Sequence, residues 1–324
     1  MKIFIELPTW LGDTVMVTPA INNLINFYED LEITLIGSFI AIETLKNHPK
    51  VVKTYVIEKN YFYLYKTINS SGKFDIFFSF RGSFRSKFIK FFVSSARKYQ
   101  FEKFLYTTGH QVEKYNNFVN NSLQISTSAS NLTVHKNNKN NKNNKNNKNN
   151  KNNKNNKNNK NKLLGINPGA SYGSAKRWYP KQFANVATDL SNHYDIIIFG
   201  GPEEKDIAED IERYLIKNGV NNYQNLAAKT TITELLDQIS SLDLFVTGDS
   251  GPMHLAAAFQ IPTVTIFGPT NHKETSQWMN QKSVIVKKNL VCQPCMKRKC
   301  PLKHHDCMKQ IQASEVLNEL KRLN

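Results

Sequence analysis

The chain has 324 residues, 40% of them hydrophobic, and a formal net charge of +17. That length exceeds one ordinary core and fits two domains of about 150 residues each; no apolar run reaches the roughly 18 residues needed to cross a bilayer, and Glu6 interrupts the first one, so neither a membrane span nor a secretory leader is expected. The charge favours an anionic partner without requiring a polynucleotide, because ten of the 43 basic residues fall in Lys136–Lys162 and +7 remains without them.

Short apolar runs separated by stretches of helical spacing predict an α/β protein with parallel sheets covered by helices. In the first half, strands are expected at Lys2–Leu7, Ile33–Gly37, Thr54–Ile57 and Phe74–Phe80, alternating with helical stretches that include Val15–Tyr28 and Ile40–Lys46. This is a doubly wound order, assigned to a first domain over 1–134. The segment 135–162 is a Lys-Asn-Asn repeat with no apolar side chain from Lys136 onward. It can bury nothing to offset the entropy of ordering, and is read as a disordered insert between domains. The second domain, 163–324, is expected to hold strands at Leu163–Asn167, Asp195–Gly200, Leu244–Thr247 and Thr263–Phe267. Helices are expected near Pro180–Asn192, Glu204–Asn218, Ile232–Ser241 and Pro252–Phe259, with an amphipathic tail over Ser314–Leu323. The two sheets face a shared cleft.

Ligands of open α/β sheets gather beyond the carboxyl ends of the strands, so the loops following each strand carry the functional signal. The first, Leu7 to Thr14, contains Trp10, Gly12 and Asp13. Asp13 there is either the N-cap of the first helix or a general base at the cleft mouth, kept ionised by the helix N-terminus. The loop Asn167–Trp178 combines small residues, Ser171 among them, with Lys176 and Arg177, a composition that lets backbone N–H groups and two cations meet a diphosphate. It lacks the spacing of a Walker A or dinucleotide fingerprint, and an ordinary Gly/Ser loop with surface cations would read the same way.

Thr247–His254 is a sharp strand-to-helix turn in which the N–H groups of Ser250 and Gly251 are expected to face the cleft, with Asp249 available to sugar hydroxyls. His254 is either a donor contact or a buried, satisfied histidine. Glycine turns follow two further strands, at Gly200–Gly201 and Gly268, and Glu203 is placed to hold ribose hydroxyls. Arg81 and Arg85 follow the fourth strand and suit an anionic acceptor, or else belong to a solvated basic helix face. All four cysteines, Cys292, Cys295, Cys300 and Cys307, lie in one loop with His304 and His305, leaving nothing to cross-link the rest of the chain and pointing to the cytoplasm. The first pair has zinc-ligand spacing; the competing reading is a set of reduced packing thiols.

Trp10-Leu11-Gly12-Asp13, Asn167-Pro168-Gly169-Ala170 with Lys176-Arg177-Trp178, Gly248 to His254, Phe267-Gly268-Pro269-Thr270 and the cysteine-rich segment, in this order, resemble the ADP-heptose:lipopolysaccharide heptosyltransferases, glycosyltransferase family 9, and its second-heptose branch most of all. The resemblance covers nearly the whole chain except the repeat. It implies a GT-B architecture, with two Rossmann-like domains of which the C-terminal one takes the donor and the N-terminal one the acceptor. It also implies inverting transfer without metal or cofactor, from ADP-heptose to the first heptose of an anionic lipid A core at the inner face of the cytoplasmic membrane. On that reading Asp13 is the base and Lys176 stabilises the departing diphosphate. Ser171, Arg177, Glu203, Asp249, Ser250, Gly251 and His254 hold the donor, and Arg81 and Arg85 the acceptor. The rival readings are a GT-B transferase or epimerase for another nucleotide sugar, and a nucleic-acid-binding protein built on the lysine repeat, which leaves the cleft turns unexplained; no nucleic acid is expected as a partner.

Overall fold

The computed structural model describes residues 1–137 and 161–323; the Lys-Asn repeat, read as a disordered insert, lies outside them except at its two edges. The first half is a five-stranded, all-parallel sheet of β1 (Lys2–Glu6), β2 (Glu32–Gly37), β3 (Val51–Val56), β4 (Lys73–Ser79) and β5 (Ser94–Gln100), in the order β3-β2-β1-β4-β5. The second is a six-stranded parallel sheet of β6 (Lys162–Asn167), β7 (Tyr194–Ile198), β8 (Tyr223–Asn225), β9 (Leu244–Gly248), β10 (Thr263–Phe267) and β11 (Ser283–Lys287), in the order β11-β10-β9-β6-β7-β8. In each sheet the first strand is central and strand order reverses beside it, between β1 and β4 and between β6 and β9. Those switch points are where crevices open beyond the strand ends.

Thirteen helices are present among the described residues. The first half carries α1 (Leu11–Met16), α2 (Thr18–Phe27), α3 (Phe39–Leu45), α4 (Tyr61–Ser70), α5 (Phe84–Phe92) and α6 (Gln111–Leu123). The second carries α7 (Pro180–Leu190), α8 (Lys205–Lys217), α9 (Ile232–Ile239), α10 (Gly251–Ala258), α11 (His272–Thr275), α12 (Asp306–Lys309) and α13 (Ala313–Leu323).

Several expectations need correcting. The single helix predicted over Val15–Tyr28 is two, since α1 starts four residues earlier and the chain turns at Val17 before Pro19 sits in the first turn of α2. Strands β5, β8 and β11 were not foreseen. β5 reads Ser-Ser-Ala-Arg-Lys-Tyr-Gln and β8 has three residues, so neither shows the apolar pattern of a central strand; all three lie at sheet edges. Lys162, assigned to the insert, opens β6.

The halves are joined by more than a linker. One apolar cluster runs from Ile3, Val15 and Ile42 in the first half to Leu236, Leu255 and Ile261 in the second without a break. Burial of each such side chain contributes about 1.5–3 kcal/mol, so the two sheets are held face to face by core packing through α1, α3, α9 and α10. Polar ties reinforce it: Lys114 Nζ lies 2.8 Å from Glu274 Oε2, His110 Nε2 lies 3.0 Å from the Ser276 carbonyl, and Trp278 Nε1 donates to the Ser130 carbonyl at 3.0 Å.

Candidate active site

The loop after β1 enters α1 with Trp10 as N-cap, and no side chain caps the helix. Asp13 is therefore not the cap that its position suggested. It lies in the first turn, half-buried, and the Tyr115 hydroxyl from α6 donates to its Oδ1 at 3.4 Å. Burial is the largest influence on its carboxyl and pushes the pKa above the ordinary value; the Tyr115 hydrogen bond and the charges of Lys176 and Lys103 pull the other way, while Asp249 adds to the rise. A carboxylate with a raised pKa and one weak donor is a better proton acceptor than a solvated one.

Tyr115 is buried, and burial, with Asp13 beside it, holds its hydroxyl well above the usual tyrosine range, so it remains a donor. Tyr115→Phe is expected to raise the pKa of Asp13 further by deleting a bond to its ionised form. The acid limb of any Asp13-dependent pH–rate profile then shifts to higher pH, which kcat/KM measured against pH checks; an unmoved limb would separate Tyr115 from the chemistry.

Across the interface, α10 meets α1 closely enough to fix two residue types. A Cβ on Gly251 would come within 2.8 Å of Leu11 Cβ, and one on Gly12 within 2.8 Å of His254 Cδ2. Glycine at both positions is thus required by helix contact, and for Gly251 this accounts for the residue without invoking a ligand. His254 is buried and its pKa falls to about 4 through burial, so its ring is neutral. Among the described residues its Nδ1 is buried without a hydrogen-bond partner, unlike a satisfied core histidine.

On the second-half side the Lys176 ammonium sits 2.6 Å from Asp249 Oδ2 and 3.3 Å from the Asp249 carbonyl, above the Tyr172 ring at 4.8 Å. The same Oδ2 accepts from Thr270 Oγ1 at 2.6 Å. Two residues predicted to act separately, one on phosphate and one on sugar, are an ion pair here. Asn167 at the end of β6 ties the turns together by donating to Thr247 Oγ1 at 3.2 Å and Ser250 Oγ at 2.9 Å; Ser250 is the N-cap of α10. Arg177 donates from one guanidinium nitrogen to the Glu203 carbonyl at 3.4 Å, while its Nε is buried without a partner among the described residues. Ser171 and Glu203 are exposed. The buried carboxylate of that turn is Glu204, passed over in the sequence, whose Oε2 accepts from the Gly201 N–H at 2.5 Å.

On the first-half side, Arg81 lies 3.7 Å from Glu6 Oε1, and its charge reaches Tyr115. Arg85 stacks on Tyr61 at 5.4 Å, donates to the Lys59 carbonyl at 3.4 Å and leaves its Nε buried without a partner among the described residues. Glu6 was read only as a charge interrupting an apolar run. It is fully buried and accepts from Ser79 Oγ at 2.5 Å and Ser86 Oγ at 2.8 Å, which fixes the loop bearing Arg81 to the end of β1. The signal was available: a carboxylate closing an apolar strand is buried and needs partners. Lys103, whose charge reaches Asp13, follows the unforeseen β5 and could not be placed from sequence.

The cysteine-rich loop clamps the second-half turns from outside. Met296 N–H donates to the Pro269 carbonyl, Tyr172 Oη to the Met296 carbonyl, Ala175 N–H to the Arg298 carbonyl, and His305 Nε2 lies 2.9 Å from the Ala175 carbonyl. The four thiols and the two histidines line a cavity of about 20 Å³. Burial and the neighbouring cysteines push the Cys307 thiol up to about 11. Among the described residues no group of three or more His, Cys, Asp or Glu side chains is placed to hold a metal ion.

A family model described as glycosyltransferase family 9 (heptosyltransferase) matches residues 64–305. Over its full length the chain is 41% identical to lipooligosaccharide heptosyltransferase 2 of Campylobacter jejuni, covering 98% of that protein. Its fold superposes on the Escherichia coli ADP-heptose lipopolysaccharide heptosyltransferase II with a TM-score of 0.79 at 21% identity, covering 100% of this chain and 98% of that one. A second Escherichia coli heptosyltransferase, solved with ADP, superposes with a TM-score of 0.75 at 13% identity, each chain covered fully. The expected architecture of two facing α/β sheets is that of these enzymes.

Proposed function

The chain belongs to glycosyltransferase family 9, the heptosyltransferases, and from that premise we propose that it transfers L-glycero-D-manno-heptose from ADP-heptose to the first heptose of a lipid A inner core, with inversion. The observation that carries this reading is the meeting of Asp13, at the mouth of the first-half crevice, with the charge field of the Lys176–Asp249 pair at the mouth of the second. A base and a cation from opposite sheets, acting on one small space, suit a single displacement.

The acceptor hydroxyl loses its proton to the Asp13 carboxylate as its oxygen attacks the anomeric carbon. The bond from that carbon to the ADP oxygen breaks, and the electron pair leaves with the diphosphate. Lys176 and the N-terminus of α10 oppose the developing charge. Arg177 Nε and His254 Nδ1, buried without a partner among the described residues, would take up donor-side hydrogen bonds, and Arg81 with Arg85 takes the acidic groups of the acceptor. The substrate is a lipid, so the enzyme works at the inner face of the cytoplasmic membrane.

The test is incubation of purified protein with ADP-heptose and heptosyl-Kdo-lipid A, with and without chelator, reading the acceptor mass. One added heptose that survives chelation is the expected result. No gain from a folded protein would overturn the assignment of this donor and acceptor.

A further inference from the structure

The α4–α5 face of the first half has the wrong chemistry for water. These helices cover one side of the first sheet through Leu64, Ile68, Ile89 and Val93, which pack on Phe4, Phe74 and Phe77. Their opposite faces should then be polar. Instead Phe84 and Phe91, seven residues apart on α5, are 78% and 77% exposed, and Phe62 and Tyr63 on α4 are 60% and 57% exposed. The two helices lie side by side, with Tyr61 against Phe88 and Tyr65 against Phe92, both at 5.0 Å between ring centroids. The exposed rings therefore form one continuous surface.

Charge on this surface has one sign. Helices α4 and α5 carry Lys66, Arg85, Lys87 and Lys90 and no acid, and the acid on the strand between them, Asp75, is occupied by the Lys2 N–H. Lys66 folds over the Phe62 ring at 4.4 Å, and Lys87 and Lys90 stand between Phe84 and Phe91 on α5. Aromatic rings interleaved with lysines, without acids, match the boundary of an anionic bilayer, where rings enter the headgroup layer and lysine stems reach phosphate. A protein partner of ordinary composition would meet repulsion from its own cations here and would leave this run of lysines unmatched unless it were strongly acidic.

We propose that the α4–α5 face docks the enzyme on an anionic phospholipid surface. The proposal rests on the lipid-acceptor reading above and gives it a geometry: α5 follows the loop carrying Arg81 and holds Arg85 in its first turn, so docking brings both to the headgroup plane where a glycolipid presents its sugars.

The test is flotation of the full chain with vesicles of phosphatidylcholine plus phosphatidylglycerol, and with phosphatidylcholine alone, neither containing glycolipid. The bound fraction should be at least about tenfold higher on the anionic vesicles and should fall with salt. It should fall by a similar factor in Phe84→Ser/Phe91→Ser and, independently, in the surface charge variant Lys66→Glu/Lys90→Glu, while both variants keep wild-type transfer to a detergent-dispersed acceptor. Since the vesicles lack acceptor, binding would stand even if the assigned transfer failed. Absence of wild-type binding, equal binding to both vesicles, or binding untouched in Lys66→Glu/Lys90→Glu would overturn the proposal. So would a concentration-dependent dimer abolished by Phe84→Ser/Phe91→Ser, which would give the face to a second copy.

Discussion

Asp13→Asn lowers kcat for heptosyl transfer by between about a hundredfold and ten-thousandfold, the range that a positioned general base contributes, with little change in donor affinity. The side chain keeps its shape and can still take the Tyr115 hydroxyl, so the crevice should remain formed and the loss should appear in the chemical step. The pH profile provides the second readout. Because burial raises the pKa of Asp13 in the fold, the wild-type rate climbs with pH through a value above the ordinary carboxylate range, and this limb should vanish in the variant. Stability moves in the opposite sense. A carboxyl whose folded pKa lies above its unfolded value has a charged form that the fold disfavours, so its contribution falls as pH rises from the unfolded value through the folded one. At neutral pH the neutral amide therefore costs no stability, and thermal unfolding should show a midpoint no lower than wild type. A variant that transfers at the full rate would remove Asp13 as the base.

Much of this site was legible in the sequence because its residues follow strands with strong apolar patterns. Ile3-Phe4-Ile5 announces β1 and hence the loop carrying Asp13, and Leu244 to Thr247 announces β9 and hence Asp249. What could not be read was pairing across the chain. Lys176 and Asp249 are 73 residues apart and Asp13 and Tyr115 are 102 apart; no spacing rule connects them, and their partnership exists only once two sheets are packed. Tyr115 was missed for that reason, and Asp13 was given a capping alternative because the start of α1 could not be fixed within four residues, a common uncertainty at helix ends. The exposed rings of α4 and α5 were hidden in another way. On α5 burial goes to Ser86 and Ile89, with Phe88 packed partly against the core, while Phe84 and Phe91 face outward, a split that the run of phenylalanines does not announce.

Lys176→Ala is expected to lose both transfer and stability, and the two losses can be taken apart. In the wild type the ammonium neutralises Asp249, which is 5% exposed and otherwise held at Oδ2 by Thr270. Removing one partner of a buried pair leaves an uncompensated charge and costs about 3–5 kcal/mol; because the Lys176 side chain is 13% exposed, the lower end of that range applies. Transfer falls by about a hundredfold to a thousandfold if the ammonium also stabilises the departing diphosphate, as loss of one preorganised donor does elsewhere. The double variant Lys176→Ala/Asp249→Asn removes the stranded charge together with the missing one. Its melting midpoint should return toward wild type while transfer stays as low as in the single variant, because no cation has been restored to the diphosphate side. Titration of both variants with ADP supplies the binding arm: weakened affinity in each, relative to wild type, is the expected result. If the double variant regains transfer along with its melting midpoint, Lys176 serves only to neutralise Asp249 and the phosphate role passes to Arg177 and the N-terminus of α10.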